Sequence, residues 1–217
     1  MSLVIKLVRH AESEANTGKM EAHVSGDHGI PLSPRGRGDA RAMGGVRGAP
    51  FLRGALLYSS PYRRTRETLA GVLEGAGLTR EDVLGSYEDP RLREVEHGYE
   101  PLEPQHELRR THGWFYYRFR GGESPADCYD RTSSFLESMM RQVERRNADR
   151  VLIVTHGLTI RCFVMRFLHL SVEQFDAMAN PHNCAIVTLA DRRTLGSCAV
   201  SSDHWGVEGL PLRAPDE

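Results

Sequence analysis

The stretch Val151-Leu152-Ile153-Val154-Thr155-His156-Gly157 joins four consecutive aliphatic residues to a small polar group. A strand wet on one side alternates apolar and polar residues. An unbroken aliphatic run suits a strand covered on both faces, as in parallel sheets sandwiched between helices. Strand-length apolar runs recur at Leu3 to Val8, Ala55 to Tyr58, Val83 to Tyr87, Cys184 to Leu189 and Ser197 to Ser201, with helical patterns between them. The expected fold class is therefore α/β: three layers, α/β/α, with a mostly parallel central sheet flanked by helices.

Three helix starts share one punctuation, a Ser followed by Pro at the first helical position: Ser33-Pro34, Ser60-Pro61 and Ser124-Pro125. After Ser124, Asp127 stands where a capping-box partner belongs. Cys128, Phe135, Leu136, Met139, Met140 and Val143 then recur at helical spacing, which predicts a helix of about six turns ending near Arg145-Arg146-Asn147. Leu158 to Leu170 reads as a largely buried helix. Between the strands near Tyr87 and Val151, Glu88 to Gly122 is rich in Arg, His, Glu and aromatics and includes Trp114-Phe115-Tyr116-Tyr117. Such a segment suits a small helical or irregular cap over a site, roughly residues 95–123, and equally an irregular surface excursion stapled by its aromatics. Nothing marks a linker or a repeat, so residues 1–217 read as a single domain.

With 217 residues, 40% hydrophobic and 26% charged, the chain has the composition of an ordinary globular protein, which excludes disorder. Its 28 basic and 29 acidic residues leave a net charge of -1 and no global field to attract nucleic acid or a membrane surface. All the basic residues except Lys6 and Lys19 are Arg, an excess read as coding bias on a solvated surface. No window approaches the roughly eighteen apolar residues of a membrane span, and Met1 to Val8 lacks a signal-peptide pattern, so the expected location is cytoplasmic. Cys128, Cys162, Cys184 and Cys198 lie in apolar contexts without Cys-x-x-Cys spacing and are expected to be buried free thiols.

Three predicted strands end directly in polar, phosphate-compatible residues: Leu7-Val8 in Arg9-His10, Leu57-Tyr58 in Ser59-Ser60 with Arg63 and Arg64 beyond, and Ile153-Val154 in Thr155-His156-Gly157. In a parallel sheet the carboxyl ends converge on one crevice, so these groups can meet. Two imidazoles and two guanidiniums gathered there, beside helix N-termini, suit a phosphoryl dianion.

The run Arg9-His10-Ala11-Glu12-Ser13 with Asn16 resembles the Arg-His-Gly-Glu-Ser signature of the histidine phosphatase superfamily, the phosphoglycerate mutase-like proteins. The resemblance continues through Ser60-Pro61-x-x-Arg64-Thr65-x-x-Thr68, Leu92-x-Glu94 and Thr155-His156-Gly157. It implies a phosphoglycerate mutase-like fold, with His10 as the nucleophile that carries the phosphoryl group. It also implies that Arg9, Asn16, Arg64 and His156 hold the equatorial oxygens together with Gly157, and that Glu94 serves as acid and then base. On that reading Glu94 is kept protonated, His156 is protonated, a backbone carbonyl fixes the tautomer of His10, and no metal or cofactor is needed. Segments 122–131, 114–119 and 180–184 look like the broad-range acid phosphatase branch, which favours hydrolysis. Two departures stand out: Ala11 in place of Gly, and Gly98-Tyr99-Glu100-Pro101 in place of the Gly-x-x-Glu-Gly that often follows the acid.

Taken alone, Glu94 reads as a salt-bridge partner of Arg91 or Arg93, and Arg63 as a solvent-facing neighbour of Arg64. His97, His106 and His112 show no zinc spacing. Arg109-Arg110 would hold a second anionic group or pair with Glu103 or Glu107. Trp114 to Phe119 is expected to anchor the cap, Arg118 and Arg120 are rim candidates, and the tail from Leu210 is expected to fray. The alternatives are a phosphoglycerate mutase-type phosphotransferase and, from another class, a non-catalytic phosphate-binding module. The implied partner is a phosphorylated small molecule or a phosphoprotein; the physiological substrate stays open, and so does a homodimer.

Overall fold

A computed structural model describes residues 3–21, 25–98 and 100–213, without the side chains of Val46 and Arg47. Tyr99 and the Pro215–Glu217 end of the tail, both part of the sequence reading, lie outside the described residues. The chain runs through β1 (Val4–Arg9), a 3-10 turn at Asp27–Gly29, α1 (Pro34–Leu52), β2 (Leu56–Ser59), α2 (Arg63–Gly75), β3 (Gly85–Glu88) and a 3-10 turn at Pro90–Leu92. It continues with α3 (Glu103–His112), α4 (Pro125–Arg146), β4 (Arg150–Thr155), α5 (Gly157–Leu168), α6 (Val172–Asp176), β5 (Ile186–Asp191), β6 (Val200–Ser201) and β7 (Trp205–Glu208).

The seven strands form one sheet in the order β3-β2-β4-β1-β5-β7-β6. Its first four are parallel, and β5, β7 and β6 complete it antiparallel. Strand β7 was not anticipated: Trp205-Gly206-Val207-Glu208 is short and returns beside β5 by pairing rather than by a pattern of its own. Strand β5 begins at Ile186, because Cys184 adopts a left-handed φ of 59° and turns the chain first.

Side chains on each central strand divide between two faces, as the period of two requires. Ile5, Leu7, Leu56, Tyr58, Val151 and Ile153 pack with Phe135 and Met139 of α4 and Phe163 of α5. Val8, Leu57, Leu152 and Val154 pack with Leu52 of α1 and Leu69, Val72 and Leu73 of α2. The three layers follow directly from this division. Ser33 and Ser124 cap their helices as expected, the latter with a full capping box to Asp127. Ser60 does not: α2 starts at Arg63 with Tyr62 at its cap, and the Ser60 hydroxyl is turned to other work in the crevice.

Two further expectations are corrected. Cys128 and Cys162 are buried, but Cys184 is half-buried and Cys198 exposed, since the 198 segment borders the short edge strand β6. The tail is docked as far as Arg213: Leu210 is buried, Leu212 bridges to Met178, and the Arg213 N–H donates to the Ala177 carbonyl.

Helices α1 and α2 touch backbone to backbone through glycines. A Cβ at Gly75 would lie 1.9 Å from the Arg41 carbonyl oxygen, and one at Gly44 2.1 Å from that of Val72, whereas one at Gly38 meets nothing within 4 Å. Gly75→Ala is therefore expected to lower unfolding stability by about 1–3 kcal/mol through overpacking. Gly38→Ala, in the same helical layer but facing open space, is expected to raise it by about 0.5–1 kcal/mol. Urea denaturation of the two variants checks the contrast.

Candidate active site

Because β1, β2 and β4 are parallel and in register, with Arg9 opposite Thr155 and Ser59 opposite Val154, their carboxyl ends deliver His10, Ser60 and His156 to one crevice. The His10 N–H donates to the Thr155 carbonyl at 2.9 Å. The imidazole Nδ1 lies 2.8 Å from the Ala11 carbonyl oxygen, which can only accept, so Nδ1 carries the proton and Nε2 is left with its lone pair. The loop that follows β1 is pinned from α2, where Thr68 Oγ1 accepts the Ala11 N–H at 3.0 Å.

Arg64 is buried on the first turn of α2 and donates from Nε to His10 Nε2 at 3.3 Å. Its other two nitrogens grip Asp27: Nη1 donates to Oδ1 and to the backbone carbonyl, both at 2.8 Å, and Nη2 donates to Oδ2 at 3.1 Å. Sequence reasoning missed Asp27, which sits in a loop with no periodicity to mark it. The same carboxylate, after burial, helps push the Tyr62 phenol up to about 12. Arg63, as expected, faces solvent and pairs with Glu67.

His156 is fully buried, its ring edge-on to that of His10 with centroids 5.3 Å apart. Its Nε2 shares a 2.9 Å hydrogen bond with Ser60 Oγ, while Nδ1 has no partner among the described residues. Burial, then the cations led by Arg64, hold its pKa well below the usual imidazole range, which works against the protonated form expected from the sequence. His10 is held down to about 3 by burial and then by Arg64, against the pull of its own hydrogen bond to the Ala11 carbonyl. Both imidazoles are neutral near pH 7.

Arg9 donates from Nη1 to the Pro181 carbonyl at 2.7 Å, and its buried Nε is unpartnered among the described residues. Gly157 opens α5, and its missing Cβ leaves room for Asn180, whose side-chain atoms lie 3.0–3.3 Å from where that Cβ would stand. Asn16 is exposed; its Oδ1 accepts from Ser13 N at 3.1 Å and from Asn183 Nδ2 at 3.2 Å, and Asn183 Nδ2 also reaches the His10 carbonyl at 2.9 Å. Glu94 pairs with neither Arg91 nor Arg93, which bind Asp89 and Glu123 respectively. Instead its Oε1 accepts from Val95 N at 3.0 Å and lies 3.4 Å from Thr159 Oγ1. The half-buried Arg131, held by Glu123 and the Arg91 carbonyl, adds a cation whose charge acts on both Glu94 and His156. Nothing in the sequence set it apart from the other arginines.

In the 95–123 segment, Phe115 and Phe119 are buried and anchor it, and His97 packs on Phe119. Arg110 pairs with Glu107. Arg109 does not pair with Glu103 or Glu107 but lies 4.0 Å over the Trp114 ring. Arg118 and Arg120 bind Asp127 and Glu100. Among the described residues no cluster of His, Cys, Asp and Glu could hold a metal ion, and no helix is long and apolar enough to cross a membrane.

The sequence profile of the Histidine phosphatase superfamily (branch 1) matches residues 5–200. The chain belongs to the histidine phosphatase superfamily. A phosphoglycerate mutase-like protein of Arabidopsis thaliana is 40% identical over 203 residues, 83% of this chain and 71% of that protein. A broad-range acid phosphatase of Saccharomyces cerevisiae is 28% identical over 193 residues, covering 62% of this chain and 58% of its own length. Among solved structures, one titled Mycobacterial hydrolase 1 superposes with a TM-score of 0.73 at 22% identity over 96% of this chain and 97% of that one, a likeness of fold.

In this member of the superfamily, the buried neutral imidazoles make stability depend on pH. Unfolded histidine titrates near 6.5, so between that value and about 3 the unfolded chain holds a proton on His10 that the folded chain lacks. Stability is therefore expected to fall as pH drops below about 6.5, by up to about 1.4 kcal/mol per pH unit for each such histidine. Urea denaturation between pH 7 and 4 measures the slope, and His10→Gln is expected to reduce it.

Proposed function

We propose that this protein hydrolyses phosphate monoesters through a phosphohistidine on His10. The observation that carries this reading is the unprotonated Nε2 of a neutral, carbonyl-locked imidazole, turned to the Arg64 guanidinium whose Nε donates to it. A phosphoryl group entering the crevice meets Arg9, Arg64, the Gly157 N–H at the start of α5, the unpartnered Nδ1 of His156 and the amide of Asn16. Phosphoryl transfer asks mainly for such positioning and charge, which these groups supply without a metal or cofactor. The arriving dianion takes or shares the Nη groups that Asp27 holds, and its charge favours protonation of His156 against the effect of burial.

In the first step the Nε2 lone pair forms the N–P bond in line with the departing oxygen. The P–O bond breaks, and Glu94 gives its proton to the leaving alkoxide. In the second, Glu94 takes a proton from water as the water oxygen attacks phosphorus, and the N–P bond breaks to return neutral His10 and inorganic phosphate. Residues 95–123 serve as the cap that selects a phosphorylated small molecule, and the location assigned is cytoplasmic.

A second reading, transfer of the phosphoryl group to an alcohol, is favoured by the name of the Arabidopsis relative. Release of inorganic phosphate against isomerisation of a phosphoglycerate separates the two. On a generic phosphate ester the wild type is expected to release phosphate equally with and without a chelator. His10→Ala is expected to lose turnover, and Glu94→Gln to lose about 10²–10⁴-fold in kcat on esters with poor leaving groups. Normal turnover by His10→Ala would overturn the proposal.

A further inference from the structure

Residues 180–184, just before β5, touch the crevice at several points. Asn180 packs against Gly157, the Pro181 carbonyl accepts from Arg9 Nη1, and the Cys184 N–H donates to the Arg9 carbonyl at 3.1 Å. The chain turns here through the left-handed Cys184, and the Ala185 N–H closes the turn on the His182 carbonyl at 3.0 Å. Asn183 is half-buried within this turn and sends its side chain back to the loop after β1. Its Nδ2 donates to the His10 carbonyl at 2.9 Å and to Asn16 Oδ1 at 3.2 Å.

Backbone groups fix the sense of both amides. The Ser13 N–H can only donate, so the Asn16 atom 3.1 Å from it is the oxygen, and the hydroxyl of the buried Ser13 donates to the same oxygen at 3.0 Å. The His10 carbonyl can only accept, so the Asn183 atom that meets it is the nitrogen. The two assignments agree where the amides touch, donor to acceptor. Asn16 Oδ1 therefore gathers donors from Ser13 N, Ser13 Oγ and Asn183 Nδ2, and its Nδ2 is left as the end that donates elsewhere. Flipping the Asn16 amide would set its N–H groups against the Ser13 N–H and the Asn183 N–H, donor against donor. Asn16 is exposed, so without such a clamp its side chain would sample several rotamers and lose that freedom on binding.

We propose that Asn183 is a positioning residue: bridging the His10 carbonyl and Asn16 Oδ1, it holds the Asn16 amide with Nδ2 presented to the phosphoryl group. This deepens the phosphatase reading and rests on it. Asn183 acts through Asn16 and touches no reacting atom. Its contribution is to order the donor before the phosphoryl group arrives, so that the ordering is not charged against binding or against the transition state.

The test is a double-mutant cycle read on phenyl phosphate turnover and, by calorimetry, on affinity for inorganic phosphate. Asn16→Ala is expected to lower kcat/KM at least about tenfold, and Asn183→Ala and Asn183→Leu about three- to tenfold each. Leu keeps the branched shape of Asn without a donor, so a residue that only filled space would tolerate it. In the Asn16→Ala background, neither Asn183 substitution is expected to add more than about a twofold loss, because the clamp then has nothing to hold. Affinity for inorganic phosphate is expected to show the same non-additivity. Normal kcat/KM in Asn183→Leu, or losses that multiply when either substitution is combined with Asn16→Ala, would overturn the positioning role; a general disturbance of the crevice gives the second result. Non-additive losses in phosphate affinity from a wild type that hydrolyses no ester would instead overturn the phosphatase reading and leave the role of Asn183 standing.

Discussion

The guanidinium of Arg64, buried between the imidazole of His10 and the carboxylate of Asp27, is the constraint on which the rest of the site depends. A buried cation is costly unless its donors are filled, and here one is filled by His10 and the others by the carboxylate and backbone carbonyl of Asp27. The same cation, with burial, keeps both imidazoles neutral, which a nitrogen nucleophile requires. The parallel sheet matters because its register places Arg9 opposite Thr155, so that the residues following both strands face each other across one crevice.

Chemistry at the strand ends was readable in the sequence because buried parallel strands write themselves as unbroken aliphatic runs. Where Leu7-Val8 or Ile153-Val154 stops, the next residues must lie at the carboxyl edge. His10, Arg64 and His156 are brought together as that logic requires, and the capping box of Ser124 and Asp127 forms because it is a local interaction. What was hidden is what depends on tertiary pairing. Strand β7 exists by lying beside β5, and α2 starts at Arg63, with Tyr62 and not Ser60 at its cap, while Ser60 bonds to His156. Asp27 reaches Arg64 from a loop, where no periodicity announces a contact.

Protonation was the other limit. A second imidazole near a phosphoryl site reads as a cation from its chemistry alone, but full burial beside Arg64 disfavours that charge. The arginine excess divides in the same way. Arg91, Arg93, Arg118, Arg120 and Arg193 are tied up in local ion pairs, most of them partly exposed and worth little. Among the described residues Arg64 and Arg161 are buried, and Arg9 and Arg131 are half-buried around the crevice.

A nucleophilic His10 is the central claim, and the most direct measurement is to mix the protein with a phosphate ester, quench rapidly in alkali, and locate the bound phosphoryl group by peptide mass mapping. The expected result is a single acid-labile, alkali-stable phosphoryl group on the peptide carrying His10, formed and consumed at rates compatible with turnover. A phosphoryl group on another residue, or phosphate release at the normal rate with no phosphorylated His10 at any time, would contradict it.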